Sequence, residues 1–391
     1  MPRTRTRNRI PRFPGSFAED SEGRLTPVAY NYRMPPTSAT ALDLSASSVE
    51  LTAALCDIES VSGNEKTIAD AIEAALKDAA HLELFRDGDA IVARTNLGRA
   101  RRVVIAGHID TVPVNDNLPT RVVGNEMWGR GTVDMKAGVA VQLKLAAELT
   151  APPVDITWIW YDHEEISEEL NGLGRLSRIR PDLLEGDFAI LGEPTAGIIE
   201  GGCNGTLRVE VRTFGKRAHS ARAWTGHNAI HDLAPILAAL ADYSPRVVEV
   251  DGLLYKEGIN AVGITGGVAG NVVPDEAMVH INYRFAPNRT GAEAVEHLRE
   301  MFAGFNLKVV DLAEGARPGL DAPLAQEFVA AVGGTPLPKY GWTDVARFAA
   351  LGIPAVNFGP GDATLAHADD ERVPIEQITA CENALRAWLN G

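Results

Sequence analysis

The chain has 391 residues but no uninterrupted apolar run near the roughly 20 residues of a membrane-spanning helix, which argues against a membrane protein. Cysteine is scarce. Cys56, Cys203 and Cys381 are an odd number at wide spacing and form no paired motif, so a thiolate metal site is not indicated and a reducing, cytoplasmic compartment fits. Positive charge is also short: Lys and Arg total 37 against 52 Asp and Glu, for a formal net charge of -15. That balance opposes a general basic surface for nucleic-acid phosphates. The opening segment M-P-R-T-R-T-R-N-R-I-P-R-F-P-G-S lacks the apolar stretch of about 7 to 15 residues that a secretory signal needs. Residues 1–40 are therefore expected to be a disordered, basic extension without a catalytic role. Met34 stands close to the first helical pattern and is a candidate translation start. A nucleic-acid reading of the arginine-rich arm predicts salt-sensitive binding and ranks last.

What is present is the composition of a globular protein, with 45% hydrophobic and 23% charged residues. The length exceeds one compact core of ordinary size, so two domains or one domain carrying an insert are expected. Apolar residues at helical spacing mark 49–55 and 65–76, separated by the turn V-S-G-N. Short apolar runs then alternate with helical patterns: V-V-I-A-G at 103–107, a helix over 136–149, I-T-W-I-W-Y at 156–161 and F-A-I-L-G at 188–192. This is α/β sequence with a mostly parallel sheet.

From Thr206 the rhythm changes to strand, helix (228–240), strand, strand, helix (292–302), strand, the split β-α-β order of a small open-faced sheet. Beyond Gly315 the α/β pattern returns, with a helix over 324–332, the strand I-P-A-V-N-F and a closing helix over 374–389. The expected organisation is a catalytic domain made of 41–205 and 316–391, with 206–315 as a small α+β insert.

Several strands of the larger domain run directly into metal-type ligands. V-V-I-A-G leads to His108 and Asp110, W-I-W-Y to Asp162-His163-Glu164-Glu165, and F-A-I-L-G to Glu193. In an open α/β sheet, sites form outside the carboxyl ends of the strands, where groups distant in sequence converge. Asp134, in G-R-G-T-V-D-M-K-A-G, and His367, in A-T-L-A-H-A-D-D-E, can join them. Each has an ordinary alternative: Asp134 as a helix N-cap, Glu164 and Glu165 as solvated acids, Glu193 as a loop acid before Pro194, His108 satisfied by backbone. Together they form a nitrogen and oxygen donor set without thiolate, which suits two borderline cations such as Zn²⁺, with Co²⁺ or Mn²⁺ as substitutes.

The motifs G-H-I-D-T-V (107–112), G-R-G-T-V-D-M-K-A-G (129–138), D-H-E-E (162–165), L-G-E-P-T (191–195) and L-A-H-A-D-D-E-R-V resemble those of the M20 family of dinuclear zinc amidohydrolases and peptidases. The resemblance runs from about residue 41 to the end. Within the family it is strongest to the actinobacterial branch that cleaves the succinyl amide of N-succinyl-LL-2,6-diaminopimelate. It implies a zinc-peptidase-like catalytic domain, an inserted lid and dimerisation domain, and a homodimer acting on a small N-acyl amino acid.

The resemblance also implies roles. Asp134 would bridge two zinc ions, with His108 and Glu193 on one and Glu165 and His367 on the other, and a water between two such cations becomes acidic enough to attack. Glu164 would be the general base, and Asp110 would hold the His108 ring through its second nitrogen. His219, in G-K-R-A-H-S-A-R, would face the oxyanion from the partner subunit. Asn271, in A-G-N-V-V-P, and Arg284, in N-Y-R-F-A-P, would bind substrate, Arg284 through the fork that suits a carboxylate; Arg222 is a further candidate.

Two segments depart from the pattern. Ile166 follows the paired glutamates where many members have glycine, and N-G-T (204–206) stands where relatives carry arginine before the glycine. His163, beside the base, either tunes it or is merely exposed. Two other readings are another N-acyl-amino-acid deacylase or dipeptidase of the same family, and a non-catalytic binding protein on the same fold.

Overall fold

A computed structural model describes residues 41–166 and 168–391, together with a short antiparallel ribbon of β1 (Phe17–Glu19) and β2 (Leu25–Pro27). The expected disorder of residues 1–40, beyond that ribbon, and the start at Met34 lie outside the described residues. Two helices open the stretch that begins at residue 41. The first, α1 (Ser48–Asp57), begins at a capping box in which the Ser47 side chain accepts the Glu50 N–H and Glu50 accepts the Ser47 N–H. The second, α2 (Lys66–Leu76), turns Ile68, Ile72 and Leu76 inward at helical spacing.

An eight-stranded sheet follows. Its strands are β3 (Glu83–Asp87), β4 (Ala90–Arg94), β5 (Arg102–His108), β8 (Asp155–Tyr161), β9 (Phe188–Leu191), β10 (Glu200–Gly201), β17 (Leu337–Pro338) and β18 (Ala355–Asn357), in the order β17-β10-β18-β9-β5-β8-β4-β3. The central neighbours β18, β9, β5 and β8 are parallel, and β4 and β3 add an antiparallel margin. A smaller sheet pairs β6 (Arg121–Val123), β7 (Glu126–Trp128) and β19 (Arg372–Pro374).

Side-chain alternation divides the large sheet's packing in two. Ile105, Trp158, Trp160, Phe188 and Ile190 belong to one core with α1, α2, α3 (Lys136–Glu148), α7 (Pro323–Val332) and α9 (Ile375–Asn390). Val104, Ala106, Ile159, Tyr161, Ala189 and Leu191 belong to a second core with α4 (Gly172–Ile179) and α8 (Val345–Ala350). The central strands are buried on both faces, which is why they read as continuous apolar runs.

Between β10 and α7 the chain builds the four-stranded antiparallel sheet β14-β15-β11-β16, from β11 (Gly205–Phe214), β14 (Gly258–Gly266), β15 (Glu276–Phe285) and β16 (Asn306–Ala313). One face, carrying Leu207, Val209, Val211, Val279, Ile281 and Tyr283, packs under α5 (Ala234–Asp242) and α6 (Gly291–Met301). The other face carries Thr206, Arg208, Asn282 and Arg284.

Helix α5 begins at Ala234 rather than at 228, because Pro235 has no amide hydrogen to donate and its ring belongs in a first turn. A hairpin of β12 (Val247–Val250) and β13 (Leu253–Lys256), which the sequence reading missed, fills the connection to β14. Cys56, Cys203 and Cys381 are buried and unpaired. Among the described residues no helix is long and apolar enough to cross a membrane.

Candidate active site

Parallel strands deliver the acid and histidine groups to one edge. In the ladder, His108 at the end of β5 lies opposite Tyr161 of β8, and Ala106 lies opposite Leu191 of β9. The residues that follow these strands, Asp162 to Glu165 and Glu193, therefore leave the sheet beside His108. Asp134 precedes α3 through a cis peptide to Met135, and His367 follows a short turn at Ala363–Leu365.

Three overlapping donor groups result, with the ligand atoms of each within 4.8 Å of one another: His108, Asp134 and Glu193; Asp134, Glu165 and His367; and His108, Glu164 and Glu165. The two carboxylate oxygens of Asp134 face different histidines. Oδ1 lies 3.1 Å from Nε2 of His108, and Oδ2 lies 3.4 Å from Nε2 of His367. The same His367 nitrogen is 3.0 Å from Oε2 of Glu165.

Buried partners hold this arrangement. Asp110 accepts the backbone N–H groups of Glu164 and Glu165, each at 3.1 Å, and the Ser62 hydroxyl at 2.6 Å. Nδ1 of His108 faces the Asp110 carboxylate at 3.4 Å and its carbonyl oxygen at 3.1 Å. A proton on Nδ1 leaves the Nε2 lone pair free for a cation.

A second clamp escaped the sequence reading. Glu371 accepts the backbone N–H groups of Val133 (2.9 Å) and Asp134 (3.2 Å) and pairs with Arg130 at 2.7 Å, and Arg130 in turn donates to the His367 carbonyl oxygen at 3.4 Å. Its members lie inside the quoted motifs G-R-G-T-V-D and H-A-D-D-E, but nothing in one sequence pairs them. Gly138 has a steric reason: a Cβ there would stand 2.2 Å from the Gly192 carbonyl oxygen, so only glycine lets α3 approach the residue before Glu193.

The electrostatics are those of anions gathered without enough positive charge. Burial, reinforced by Asp134, raises the Glu193 carboxyl to about 7, and its Oε1 has no hydrogen-bond partner. Burial likewise raises Glu164 well above the ordinary carboxyl range, with Glu193, Asp344 and Glu165 adding to the effect. Hydrogen bonds donated to the Asp134 and Glu165 carboxylates lift His367 to about 10. Burial opposes charge on His108, but hydrogen bonds to Asp110 and Asp134 outweigh it and raise the ring's pKa. An orphaned buried oxygen and imidazoles turned toward shared carboxylates are what a donor set for divalent cations presents.

Asp134, Glu164, Glu165, Glu193 and His367 line a cavity of about 880 Å³, and Ile166 sits at its wall. Opposite, the open face of the small sheet contributes Thr206, Arg208, Arg284 and Asp311. Asn204 is turned inward, donating to the Lys256 carbonyl at 3.0 Å, so the N-G-T segment presents Thr206 rather than a cation. His163 is half-buried, 2.7 Å from Asp162, with its backbone in the left-handed region (φ 60).

His219, Arg222 and Asn271 do not line this cavity. They lie together on the exposed surface of the insert, where the Ser220 N–H donates to the Asn271 carbonyl oxygen at 2.9 Å. Nδ1 of His219 accepts the Ala221 N–H at 3.1 Å, which places the proton of the neutral ring on Nε2.

Fold and site define a metal-dependent hydrolase of amide bonds. The chain belongs to peptidase family M20/M25/M40, whose profile matches residues 104–391. A Corynebacterium glutamicum relative described as succinyl-diaminopimelate desuccinylase is 49% identical over 360 residues, spanning 89% of this chain and 98% of its own. A Mycobacterium tuberculosis relative provisionally given the same description is 55% identical over 353 residues, 90% of this chain and 100% of its own. Among solved structures, an M20 family metallo-carboxypeptidase from Sulfolobus solfataricus superposes with a TM-score of 0.72 at 18% identity, covering 88% of this chain and 99% of its own. A dinuclear metal-binding M20 peptidase from Bacillus subtilis gives 0.64 at 17% identity, covering 87% and 96%.

Proposed function

We propose that the protein hydrolyses N-succinyl-LL-2,6-diaminopimelate to succinate and LL-2,6-diaminopimelate, a step in diaminopimelate and lysine biosynthesis, in the cytoplasm. The observation that carries the reading is the pair of desuccinylase relatives that align over about nine-tenths of the chain. The shared carboxylate supports the chemistry, because each Asp134 oxygen faces a different histidine at one end of a cavity whose opposite wall is cationic.

Two Zn²⁺ ions are proposed, with Co²⁺ or Mn²⁺ as substitutes. His108 and Glu193 would hold one, Glu165 and His367 the other, and Asp134 both. When bound, such a pair acidifies a water and polarises the amide carbonyl.

The chain's own groups do the rest. Glu164 takes the proton of the attacking water and returns it to the leaving amine, a role suited to a carboxyl whose proton affinity is raised by burial. Asp110 fixes the His108 ring and the two glutamate amides at once. Arg284 offers a planar fork to a substrate carboxylate.

His219 is assigned to the oxyanion of a partner's site, since its Nε2–H is a donor and its own cavity lies elsewhere. That role needs a homodimer through the insert. The sheet ends at the edge strand β14, which exposes Val262 (65%) and Ile264 (53%), and α5 exposes Ala234, Ala238 and Ala241. An unpaired apolar edge of this kind is normally covered. Region 206–315 is accordingly read as lid and dimerisation domain, on a catalytic domain of 41–205 and 316–391.

The test is a panel of succinyl and acetyl amides of diaminopimelate and of simple amino acids. The succinyl-diaminopimelate substrate should give the highest kcat/KM. A preference for acetyl amides or dipeptides would replace this reading with a general deacylase or dipeptidase.

A further inference from the structure

The cavity wall formed by the small sheet carries more charged groups than Arg284 alone. Strand alternation puts Thr206 and Arg208 of β11, Arg284 of β15, and Asp311 and Ala313 of β16 on the open face of the small sheet. The register places Thr206 opposite both Arg284 and Ala313, and Arg208 opposite Asp311. All five line the cavity that holds Asp134, Glu165, Glu193 and His367. Arg208 and Asp311 are 3.4 Å apart and keep 59% and 34% of their side chains exposed, so each remains open to a ligand. Burial first, and the neighbouring Arg208 cation second, lower the pKa of Arg284, which marks two like charges close together.

Two guanidinium groups beside one carboxylate, at a fixed distance across a sheet, complement a carboxylate and an ammonium on a single carbon. We infer that Arg208 and Asp311, with Arg284, form a subsite for the free α-amino-acid head at the far end of the substrate, the carboxylate lying between the two arginines and the ammonium on Asp311. The inference rests on the proposed succinyl-diaminopimelate reading, and it names the groups that separate diaminopimelate from other acylated amino acids. The site lies on β-strands rather than on loops, so its spacing is set by the sheet register. An exposed cross-strand ion pair on its own contributes little to stability, so a change here is read in specificity rather than in folding.

The experiment uses four succinyl amides: those of diaminopimelate, 2-aminopimelate (no distal ammonium), lysine (no distal carboxylate) and norleucine (neither). Wild type should favour the diaminopimelate amide over the norleucine amide. Asp311→Asn should lower kcat/KM roughly 10-fold or more on the two ammonium-bearing substrates, relative to its effect on the norleucine amide. Arg208→Ala should do the same on the two substrates with a distal carboxylate, and Arg208→Lys should restore part of it.

Equal losses on all four amides, or no loss on any, would overturn the subsite. Wild type that cleaves all four equally well would overturn it too, and would leave a desuccinylase without the proposed preference for diaminopimelate. Wild type that cleaves none removes the desuccinylase reading itself.

Discussion

The two walls of the cavity are built by different rules. On the large-sheet wall, the ligand-type side chains are held from behind: Asp110 grips the backbone of Glu164 and Glu165, and Glu371 grips that of Asp134. On the small-sheet wall, Arg208 and Asp311 meet only across a ladder and stay half open to water. The first wall gathers buried carboxylates that raise one another's proton affinity, and the second presents Arg208, Arg284 and Asp311 to the cavity. On the proposed function, the backbone-braced wall would serve the chemistry and the more exposed charges recognition.

The largest effect that tests this contrast comes from Glu164→Gln. It should lower kcat by about 10³-fold, within the range for removal of a general base, while metal content measured by elemental analysis is unchanged. Retention of most of the rate would take Glu164 out of the base role. Next is Glu371→Ala, which removes the support of the Asp134 backbone and leaves Arg130 buried without its partner. Metal affinity measured by competition with a chelator should fall roughly 10–100-fold, as for other groups that orient ligands. If Glu371→Ala binds metal as wild type does, the rear support on that wall is not functional.

Arg284→Ala probes the opposite wall. A charged hydrogen bond lost to substrate corresponds to roughly 10–100-fold in kcat/KM, expected mainly as a raised KM and with metal content intact. A fall in kcat alone would place Arg284 nearer the reacting bond than the wall suggests.

The mildest test is pH on metal-stripped protein. Glu193 has a folded pKa of about 7 against an ordinary value of 4.5, and His367 about 10 against 6.5. In both, the folded state holds a proton that the unfolded state has released, so stability falls as pH rises: through about 4.5 to 7 for Glu193, and about 6.5 to 10 for His367. Tm of the stripped protein should decline from pH 5 to pH 9, and Glu193→Gln should flatten the lower half. Metal-loaded protein, whose cations replace those protons, should show a much weaker slope. A stripped protein whose Tm rises over that range would contradict the charge balance described.

Much of the large-sheet wall could be read along the chain. β5, β8 and β9 are buried on both faces, so they stand out as apolar runs, and each is followed at once by its acid or histidine. Asp134 and His367 were found through their glycine- and acid-rich contexts. The Glu371–Arg130 clamp was not, because an ion pair 241 positions apart leaves no local pattern.

The margins of the sheet were missed for another reason. The β3–β4 hairpin turns on Gly88 and Asp89 between runs that mix charged and apolar residues, which blurs the two-residue period. In the insert, the order of strands and helices was legible, but Pro235 shortened a helix whose apolar spacing begins earlier. His219, Arg222 and Asn271 stand apart from the cavity in one chain, and no sequence spacing reports which face of a molecule meets another copy.

Asp134 is proposed to be shared between two cation sites, and metal stoichiometry decides the point. Titrating stripped wild-type protein with Zn²⁺ should give two equivalents per chain, His367→Ala should keep one, and Asp134→Ala should keep neither at comparable affinity. A single equivalent in wild type, or two retained by Asp134→Ala, would contradict it.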